Sequence, residues 1–242
     1  MVKVLELFSG TGSVGKVCKK LGWEVVSVDM LLPADHQVDI MDFDYKQYDK
    51  DEFDIIWASP PCTAYSKLQD SWLGRNKKDG LFTKEKLNNM MIESDKIVIR
   101  TLEIINYFNC KWWFMENPKT GKLKDREMVK DLIFYDVDYC KYSDWGYRKR
   151  TRIWTNREDF VGKLCKKDCD NMIQVSETSN LHKNNLGNSQ SKKVRDYVYK
   201  GNHQHKGQVV SGKQAGGSTN KLDRYRIPEK LIFDLFNETF IE

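Results

Sequence analysis

The chain has 242 residues, which suits one domain or one domain with a small lobe and leaves no room for an accessory domain of ordinary size. Apolar residues make up 40% of it and charged residues 31%, with 11 Tyr, 11 Phe and 7 Trp, which predicts a folded body rather than a disordered chain. The net charge of +5 is too small to identify a polyanion partner by itself.

Two classes of protein are disfavoured at this point. The 6 cysteines are scattered, unlike the closely spaced cysteines of a small secreted disulfide-bonded protein. The apolar start at Val2–Phe8 is too short for a signal peptide, and no stretch approaches the ~18 apolar residues of a membrane span. We therefore expect a protein of a reducing compartment, the cytoplasm by default, without a membrane partner.

Short apolar strands alternate with helices in the first half of the chain. The predicted strands are Val2–Phe8, Glu24–Asp29, Phe53–Ala58 and Lys111–Glu116, and the predicted helices are Ser13–Leu21 and Lys84–Phe108. Such alternation predicts an α/β fold, with a doubly wound, mostly parallel sheet and helical crossovers.

The second half is less regular. Two further strands, Asp136–Tyr142 and Arg152–Thr155, are predicted as an antiparallel pair around a turn. After Asn156 the periodicity fails, and residues 170–220 are rich in Asn, Ser, Lys, Gly and Gln, which predicts a small loop-rich lobe. A helix is predicted after Pro228, which suits a first helical turn.

These features predict three segments. Residues 1–155 form the cofactor-binding catalytic domain, and residues 156–225 form a basic lobe able to meet phosphates. Residues 226–242 form a helix that packs back on the catalytic domain.

A glycine turn follows the first strand and opens the first helix. Its sequence is Phe8-Ser9-Gly10-Thr11-Gly12, in which glycine lets the backbone pass close to a ligand. Asp29 ends the second strand, where an acidic side chain accepts hydrogen bonds from ribose hydroxyls. Asp39 and Ile40 are candidates for contacts with an adenine amino group and ring. No Gly-Lys-Ser/Thr closes the turn, so we predict an adenosine-type ligand rather than a P-loop phosphate site.

A cysteine follows the third strand directly. Pro60 and Pro61 restrict the loop before Cys62, at the sheet edge where such folds place their chemistry. Cys62 is therefore a candidate nucleophile, and the alternative role is that of a small buried apolar residue.

Two more motifs follow later strands. Glu116 lies after the apolar run Trp112–Met115, where a carboxyl group can stay protonated and donate a proton. Arg150 and Arg152 alternate along a strand and share one face, so they can hold the acid, bind a base or phosphate, and favour a thiolate. The alternative for the arginines is a solvated surface.

As a set, these motifs resemble those of the cytosine-C5 DNA methyltransferases. The glycine turn resembles the family's cofactor loop, Pro61-Cys62 its catalytic Pro-Cys, Glu116-Asn117 its Glu-Asn, and Arg150-Thr151-Arg152 its Arg-x-Arg, all in the family's order. Thr63, Pro118 and Arg148 depart from the family's usual Gln, Val and Gln, and its C-terminal Gly-Asn motif is not evident. Short members of this kind look like those of viruses and phages.

The resemblance implies a fold, a cofactor and a reaction. It implies a sheet of the S-adenosylmethionine-dependent methyltransferase type, with Pro60 also at the cofactor. It implies that Cys62 adds to C6 of cytosine, that Glu116 acts on N3, and that Arg150 and Arg152 orient the acid and the base. The implied partner is DNA, with the cytosine flipped out of a duplex or presented on a single strand, and the implied location is the nucleoid or another host compartment that holds DNA.

Three other functions stay open. Ser59-Pro60-Pro61 resembles a motif of the amino-methyltransferases that act on adenine N6 or cytosine N4. The same C5 chemistry on RNA and a catalytically inactive nucleic-acid-binding protein are the others.

A metal site is a weaker hypothesis. Cys165 and Cys169, with His182, His203 and His205 downstream, have a loose zinc-like spacing. We expect two ordinary cysteines in the lobe and no metal.

Overall fold

The computed structural model describes residues 1–176, 179–184 and 225–236. The chain forms two compact units, the first from residues 1–136 and 151–161 and the second from residues 137–150 and 162–241. The division by function into residues 1–155, 156–225 and 226–242 stays a prediction. The basic part of the predicted lobe, with His203 and His205, lies outside the described residues.

A six-stranded sheet in the order β2-β1-β3-β6-β8-β7 forms the centre of the fold. Its strands are β1 (Lys3–Leu7), β2 (Glu24–Val28), β3 (Ile55–Ala58), β6 (Trp112–Pro118), β7 (Phe134–Asp138) and β8 (Arg150–Thr155). Strand β1 is parallel to β2 and β3, β3 is parallel to β6, and β6 is antiparallel to β8. The predicted α/β class with a mostly parallel sheet is confirmed.

Two helices connect the parallel strands. Helix α1 (Ser13–Lys20) buries Val14, Val17 and Cys18, at the spacing of one helical face. Helix α2 (Lys84–Tyr107) is capped by Thr83, whose side chain accepts a hydrogen bond from the Lys86 backbone N–H at 3.1 Å. Both match their predicted ranges closely.

The core of the first unit lies on the parallel strands, where buried residues follow one another without alternation. All residues of β3 are buried, as expected for a central parallel strand with both faces covered. The β1 residues Val4, Leu5 and Leu7 are fully buried as well, and α2 contributes Val98, Ile104 and Ile105. A two-stranded hairpin of β4 (Asn76–Lys77) and β5 (Gly80–Leu81) precedes α2.

The second unit contains a hairpin that the sequence pattern did not predict. Strands β9 (Met172–Ser176) and β10 (Ser179–His182) pair antiparallel. Its polar residues obscure the alternation on which strand prediction depends. The predicted C-terminal helix is present as α3 (Glu229–Phe236); its packing on the catalytic domain stays a prediction.

One predicted strand was too long. The strand predicted for Asp136–Tyr142 ends at Asp138, and Tyr139–Lys141 forms a 3-10 turn. Tyr139 and Cys140 are both buried, so consecutive residues are buried here, whereas a half-exposed strand buries alternate ones. None of the helices in the described part of the chain is both long and apolar enough to cross a membrane.

Candidate active site

Strands β2, β1 and β3 end in one row, level with Met115 of β6. Leu7 is in register with Val28 and Ala58, and Ala58 is in register with Met115. The residues that directly follow this row are Phe8, Asp29, Ser59 and Glu116. Ligands of open α/β sheets bind at the carboxyl ends of the strands, where the strand order reverses, and here it reverses at β1. The register thus brings the predicted cofactor turn, the cysteine loop and the acid to one edge.

The glycine turn has a left-handed backbone. Phe8, Gly10 and Gly12 have φ of 58°, 54° and 65°. The Gly12 N–H donates to the Ser9 oxygen at 2.7 Å, and the Ser9 N–H donates to the Val28 oxygen at 3.1 Å. No atom lies within 4 Å of the position that a Cβ on Gly12 would occupy. The turn therefore leaves open space above its backbone, as a cradle for a ligand requires.

Asp29 organises this cradle through both carboxylate oxygens. Its Oδ2 accepts from the Gly10 N–H at 2.8 Å, and its Oδ1 accepts from the N–H groups of Leu31 and Leu32, each at 2.8 Å. A carboxylate offers about four acceptor positions. Asp29 thus ties the end of β2 to the glycine turn and keeps one position for a ligand hydroxyl.

Glu6 is a buried acid next to the glycine turn that the sequence analysis missed. It is buried in β1, and its carboxylate accepts from the N–H of Val14 at 3.2 Å and of Gly15 at 2.9 Å, in the first turn of α1. Burial raises the pKa of Glu6 from 4.5 to about 7 against the effect of these hydrogen bonds. The cap residue of α1, Gly12, has no side chain, so the Glu6 carboxylate caps the helix in its place. The sequence signal for this role was an acidic residue inside an apolar strand.

The other two predicted adenosine contacts have different surroundings. Ile40 is buried in the hydrophobic core, and its oxygen accepts from Arg100 Nε at 3.4 Å. Asp39 Oδ1 accepts from the Met41 N–H at 3.0 Å. Contacts of Asp39 and Ile40 with a cofactor stay a prediction.

The loop that carries Cys62 is held from both sides. The Asn117 side chain donates from Nδ2 to the Pro60 oxygen at 2.9 Å, and the buried Gln69 donates from Nε2 to the Thr63 oxygen at 3.0 Å. Cys62 itself is half-buried and forms no disulfide bond. The backbone on each side of Cys62 is thereby hydrogen-bonded to a buried side chain.

A buried ion pair anchors the same loop further along. Tyr65 is fully buried and donates to Asp95 Oδ1 at 2.8 Å. Arg126 donates from Nε to the same oxygen at 3.0 Å and pairs with Asp95 Oδ2 through Nη2. Burial raises the pKa of Tyr65, and its hydrogen bond to Asp95 adds to this effect. The tyrosine therefore stays neutral and acts as a fixed donor.

Three buried oxygens near the end of β6 have no hydrogen-bond partner among the described residues. They are Glu116 Oε2, Asn117 Oδ1 and Thr151 Oγ1. Because Glu116 pairs in register with Ile153 and Pro118 with Thr151, the side chains of Glu116 and Thr151 share one face of the sheet. A buried polar atom without a hydrogen-bond partner lowers the free energy of unfolding. Such an oxygen is therefore a candidate to bind a ligand.

The two predicted arginines pair with aspartates. Arg152 binds Asp136 with two hydrogen bonds, at 2.9 and 3.1 Å, and its guanidinium lies 3.5 Å from the centre of the Phe134 ring. Burial raises the pKa of Asp136, but hydrogen bonds from Arg152 and Lys119 outweigh it and hold this pKa below its ordinary value.

Arg150 binds Asp138 in the same bidentate manner, at 2.9 and 2.6 Å. Arg152 lies opposite Asn117 in the sheet and thus on the other face from Glu116. The sequence analysis had expected the Arg152 guanidinium to hold the acid. In the structure this guanidinium binds Asp136 instead. The aspartate partners lie on β7, and no motif pointed to them.

A cavity of about 770 Å³ adjoins the cysteine loop. Its walls come from that loop, from the β4–β5 hairpin and from the start of α2, and include Thr63, Ala64, Trp72, Lys77, Phe82 and Met90. Lys77 Nζ lies 3.0 Å from the centre of the Trp72 ring. Aromatic rings beside lysines suit a base and its phosphate.

The chain is similar to a viral protein over nearly its whole length. It is 38% identical over 240 residues to the "Probable DNA (cytosine-5)-methyltransferase" of Frog virus 3 (isolate Goorha), covering 98% of this chain and 99% of that protein. No protein-family model matches the sequence.

Two solved structures show a weaker likeness. The Entamoeba histolytica methyltransferase EhMeth has 16% identity and a TM-score of 0.46, over 68% of this chain and 57% of that one. The S. pombe Dnmt2 methyltransferase has 14% identity and a TM-score of 0.43, over 69% and 53%. The chain thus spans about half the length of these structures, and similarity at this level carries no information on activity.

The printed name of this relative agrees with the family that the motifs resemble, and its viral source and similar length bear out the likeness to short viral members. Full-length similarity at 38% identity establishes common ancestry and a common fold. The chain belongs to the family of the DNA (cytosine-5)-methyltransferases.

Proposed function

We propose that this chain transfers a methyl group from S-adenosylmethionine to C5 of cytosine in DNA, with Cys62 as the nucleophile. One observation carries the proposal: Glu116 Oε2 is buried without a hydrogen-bond partner among the described residues, at the sheet edge from which the Cys62 loop departs. A carboxyl oxygen without a partner, at the same sheet edge as a cysteine loop, suits covalent activation of a pyrimidine.

The residues of the cradle fit S-adenosylmethionine. The left-handed turn at Gly10 and Gly12 leaves open space, and Asp29 keeps an acceptor position beside it. We assign the turn from Phe8 to Gly12 and Asp29 to the adenosine and amino-acid parts of the cofactor, with Asp39, Ile40 and Pro60 as further contacts. When bound, S-adenosylmethionine supplies an electrophilic methyl group and leaves as the thioether.

The protein side chains act on the cytosine. The Cys62 thiolate forms a bond to C6 while Glu116 gives a proton to N3, so that the electron pair of the 5,6 double bond becomes available at C5. After methylation, loss of the C5 proton to a base expels the Cys62 sulfur and restores the double bond, and the N3 proton returns to Glu116.

Arg150 and Arg152 act as positioning residues in this proposal. Each holds an aspartate of β7 in a bidentate pair. Arg152 also lies opposite Asn117, which fixes the Pro60 carbonyl. They therefore order the strand next to the acid, and we assign them no direct contact with the reacting atoms.

The proposed substrate is cytosine in DNA, flipped from a duplex or on a single strand, because C5 and C6 are not accessible to a thiol inside a base stack. The cavity beside the cysteine loop, with Lys77 on Trp72, supports a bound strand. The basic segment between Lys183 and Arg226 is proposed to hold the phosphates, and most of it lies outside the described residues.

A trapping experiment tests the mechanism. The protein is incubated with methyl-labelled S-adenosylmethionine and DNA that contains 5-fluorocytosine, whose fluorine cannot leave as a proton does. We expect a labelled covalent adduct with wild type and Cys110→Ala, because Cys110 lies before the opposite end of β6, and no adduct with Cys62→Ala.

The other outcomes identify the alternatives. Methylation of ordinary DNA that persists in Cys62→Ala indicates an amino-methyltransferase. An adduct with the corresponding RNA alone indicates an RNA enzyme. DNA binding with neither adduct nor product indicates an inactive nucleic-acid-binding protein.

A further inference from the structure

A cluster of three cysteines and one histidine lies in the second unit. Cys140, Cys165, Cys169 and His182 offer three sulfurs and one ring nitrogen, and these four atoms all lie within 4.8 Å of one another. The three cysteines are buried thiols, and His182 is half-buried. The sequence analysis had expected two ordinary cysteines here.

Two distances in the cluster match those of a tetrahedral metal site. His182 Nε2 lies 3.4 Å from Cys169 Sγ and 3.6 Å from Cys165 Sγ. A tetrahedron with metal–sulfur bonds of about 2.3 Å and metal–nitrogen bonds of about 2.0 Å has a sulfur–nitrogen edge of about 3.5 Å. The histidine and the two cysteines of the turn are thus already at ligand distances, and Cys140 Sγ lies within 4.8 Å of all three atoms.

The backbone around the cluster has the form of a metal-binding turn. Between the two cysteines of the turn, Lys167 has a left-handed φ of 68°, a conformation that non-glycine residues rarely adopt. Within this turn the Lys166 N–H donates to Asp168 Oδ1 at 3.0 Å, and directly after it the Met172 N–H donates to the Cys169 oxygen at 3.0 Å. Local hydrogen bonds therefore fix the backbone that presents the two sulfurs.

Cys140 is separately fixed toward the turn. The Asn171 side chain donates to the Cys140 oxygen at 2.9 Å and to the Ser143 oxygen at 2.7 Å, and its own oxygen accepts from the Gly146 N–H at 2.9 Å. The Cys165 N–H donates to Asp138 Oδ2 at 2.8 Å. The segment after β7 and the cysteine turn are therefore joined by hydrogen bonds that do not depend on a metal.

We propose that Cys140, Cys165, Cys169 and His182 bind one structural zinc ion. Three thiolates and an imidazole are ligands that favour zinc over magnesium or calcium, which take oxygen. Four protein ligands close the coordination shell, which makes the site structural and leaves no position for a reacting water. Zinc binding does not require methyl transfer, although Asp138, which accepts from the Cys165 N–H, also pairs with Arg150.

The zinc would stabilise the second unit. Its ligands come from the 3-10 turn after β7, from the loop before β9 and from the last residue of β10. Among the described residues, the apolar cluster around these ligands contains the three cysteines and the partly buried Met172. Because one metal ion would join all three segments, its binding would contribute directly to folding.

Metal analysis of the full chain tests the proposal. Protein purified without added chelator is measured for zinc by inductively coupled plasma mass spectrometry, and we expect one zinc per chain. Replacement of this zinc by cobalt(II) is expected to give the visible absorption of a tetrahedral thiolate site. Neither measurement requires a variant that folds or an enzyme that is active.

Variants then assign the ligands. Cys140→Ser, Cys165→Ser and His182→Ala are expected to lose the zinc, whereas His182→Cys keeps a four-ligand site and retains it. Cys110→Ser, which removes a half-buried cysteine of the first unit, is the matched control and retains zinc. Wild-type protein without zinc and without the cobalt absorption, zinc that survives Cys165→Ser, or another metal in its place overturns the proposal.

Discussion

The Asn117 side chain donates a hydrogen bond to the Pro60 main-chain oxygen at 2.9 Å, across 57 residues of sequence. This bond joins the end of β6, where Glu116 lies, to the loop that carries Cys62. Removing it frees the loop that positions the nucleophile, and misplacement by about 1 Å can cost about 100-fold in rate. We expect Asn117→Ala to lower kcat by about that factor, measured at saturating labelled S-adenosylmethionine.

Asn156 provides the control for Asn117. Its side chain also bonds main-chain groups of this region, donating to the Lys111 oxygen at 3.0 Å and accepting from the Trp113 N–H at 2.9 Å, but at the other end of β6. Asn156→Ala is expected to keep kcat. Equal losses in both variants would mean that Asn117 acts only through general stability.

Replacement of Glu116 by Gln tests the acid. The two side chains have the same shape, but the amide cannot deliver a proton to N3, and loss of a general acid costs about 100- to 10,000-fold. We expect kcat to fall in this range while calorimetry shows unchanged cofactor binding. Glu127→Gln, at an exposed carboxylate, is the control. Full activity of Glu116→Gln contradicts the proposed role.

The buried Glu6 makes stability depend on pH near neutrality. Because burial raises its folded-state pKa to about 7 from 4.5, the folded state binds a proton more tightly than the unfolded state. Its stabilising contribution is complete below pH 4.5 and disappears as the pH rises through 7. Between pH 4.5 and 8, the free energy of unfolding of wild type should therefore fall by about 3 kcal/mol relative to that of Glu6→Gln, measured by urea unfolding. A constant difference between the two proteins would contradict this prediction.

The Glu6 carboxylate occupies the space that a side chain at position 15 would need. A Cβ at Gly15 would lie 2.8 Å from Glu6 Oε2, closer than such atoms approach. Helix propensity alone predicts that Gly15→Ala stabilises α1 by about 1 kcal/mol. The clash reverses the sign, and we expect a destabilisation of about 1–3 kcal/mol in urea unfolding. Lys19→Ala, at an exposed position of α1, should change stability little, and a stabilised Gly15→Ala would show that Glu6 can move aside.

Arg152→Lys tests the positioning role. Lysine keeps the charge but loses the bidentate pair with Asp136 and the stacking on Phe134. We expect a loss of about 1–3 kcal/mol in stability and a lower kcat that partly recovers at lower temperature, where the strand is better ordered. A large loss of kcat with unchanged stability would instead indicate direct contact with the substrate.

Local sequence patterns were enough to predict the elements of the sheet. Apolar runs of strand length and helical spacing are local properties, so the parallel strands and both crossover helices were predicted within a few residues. The Gly10 turn, Cys62 and Glu116 were expected at one edge because the carboxyl ends of parallel strands meet there. In the structure Glu116 lies within β6, level with the first residue after β3, and the functions of these residues stay predictions. Where burial departed from a simple period, as at Tyr139–Lys141, the prediction was wrong.

The partners of each side chain depend on the tertiary structure. The pairing of Arg152 with Asp136, the bond from Asn117 to Pro60 and the cap that Glu6 places on α1 all join segments that are separate in sequence. Cys140 lies 25 residues before Cys165, and only the fold brings their sulfurs to within 4.8 Å of each other. The physical reason is that hydrogen bonds and metal coordination depend on distances of a few ångströms, which strand register and loop geometry determine and local sequence patterns do not encode.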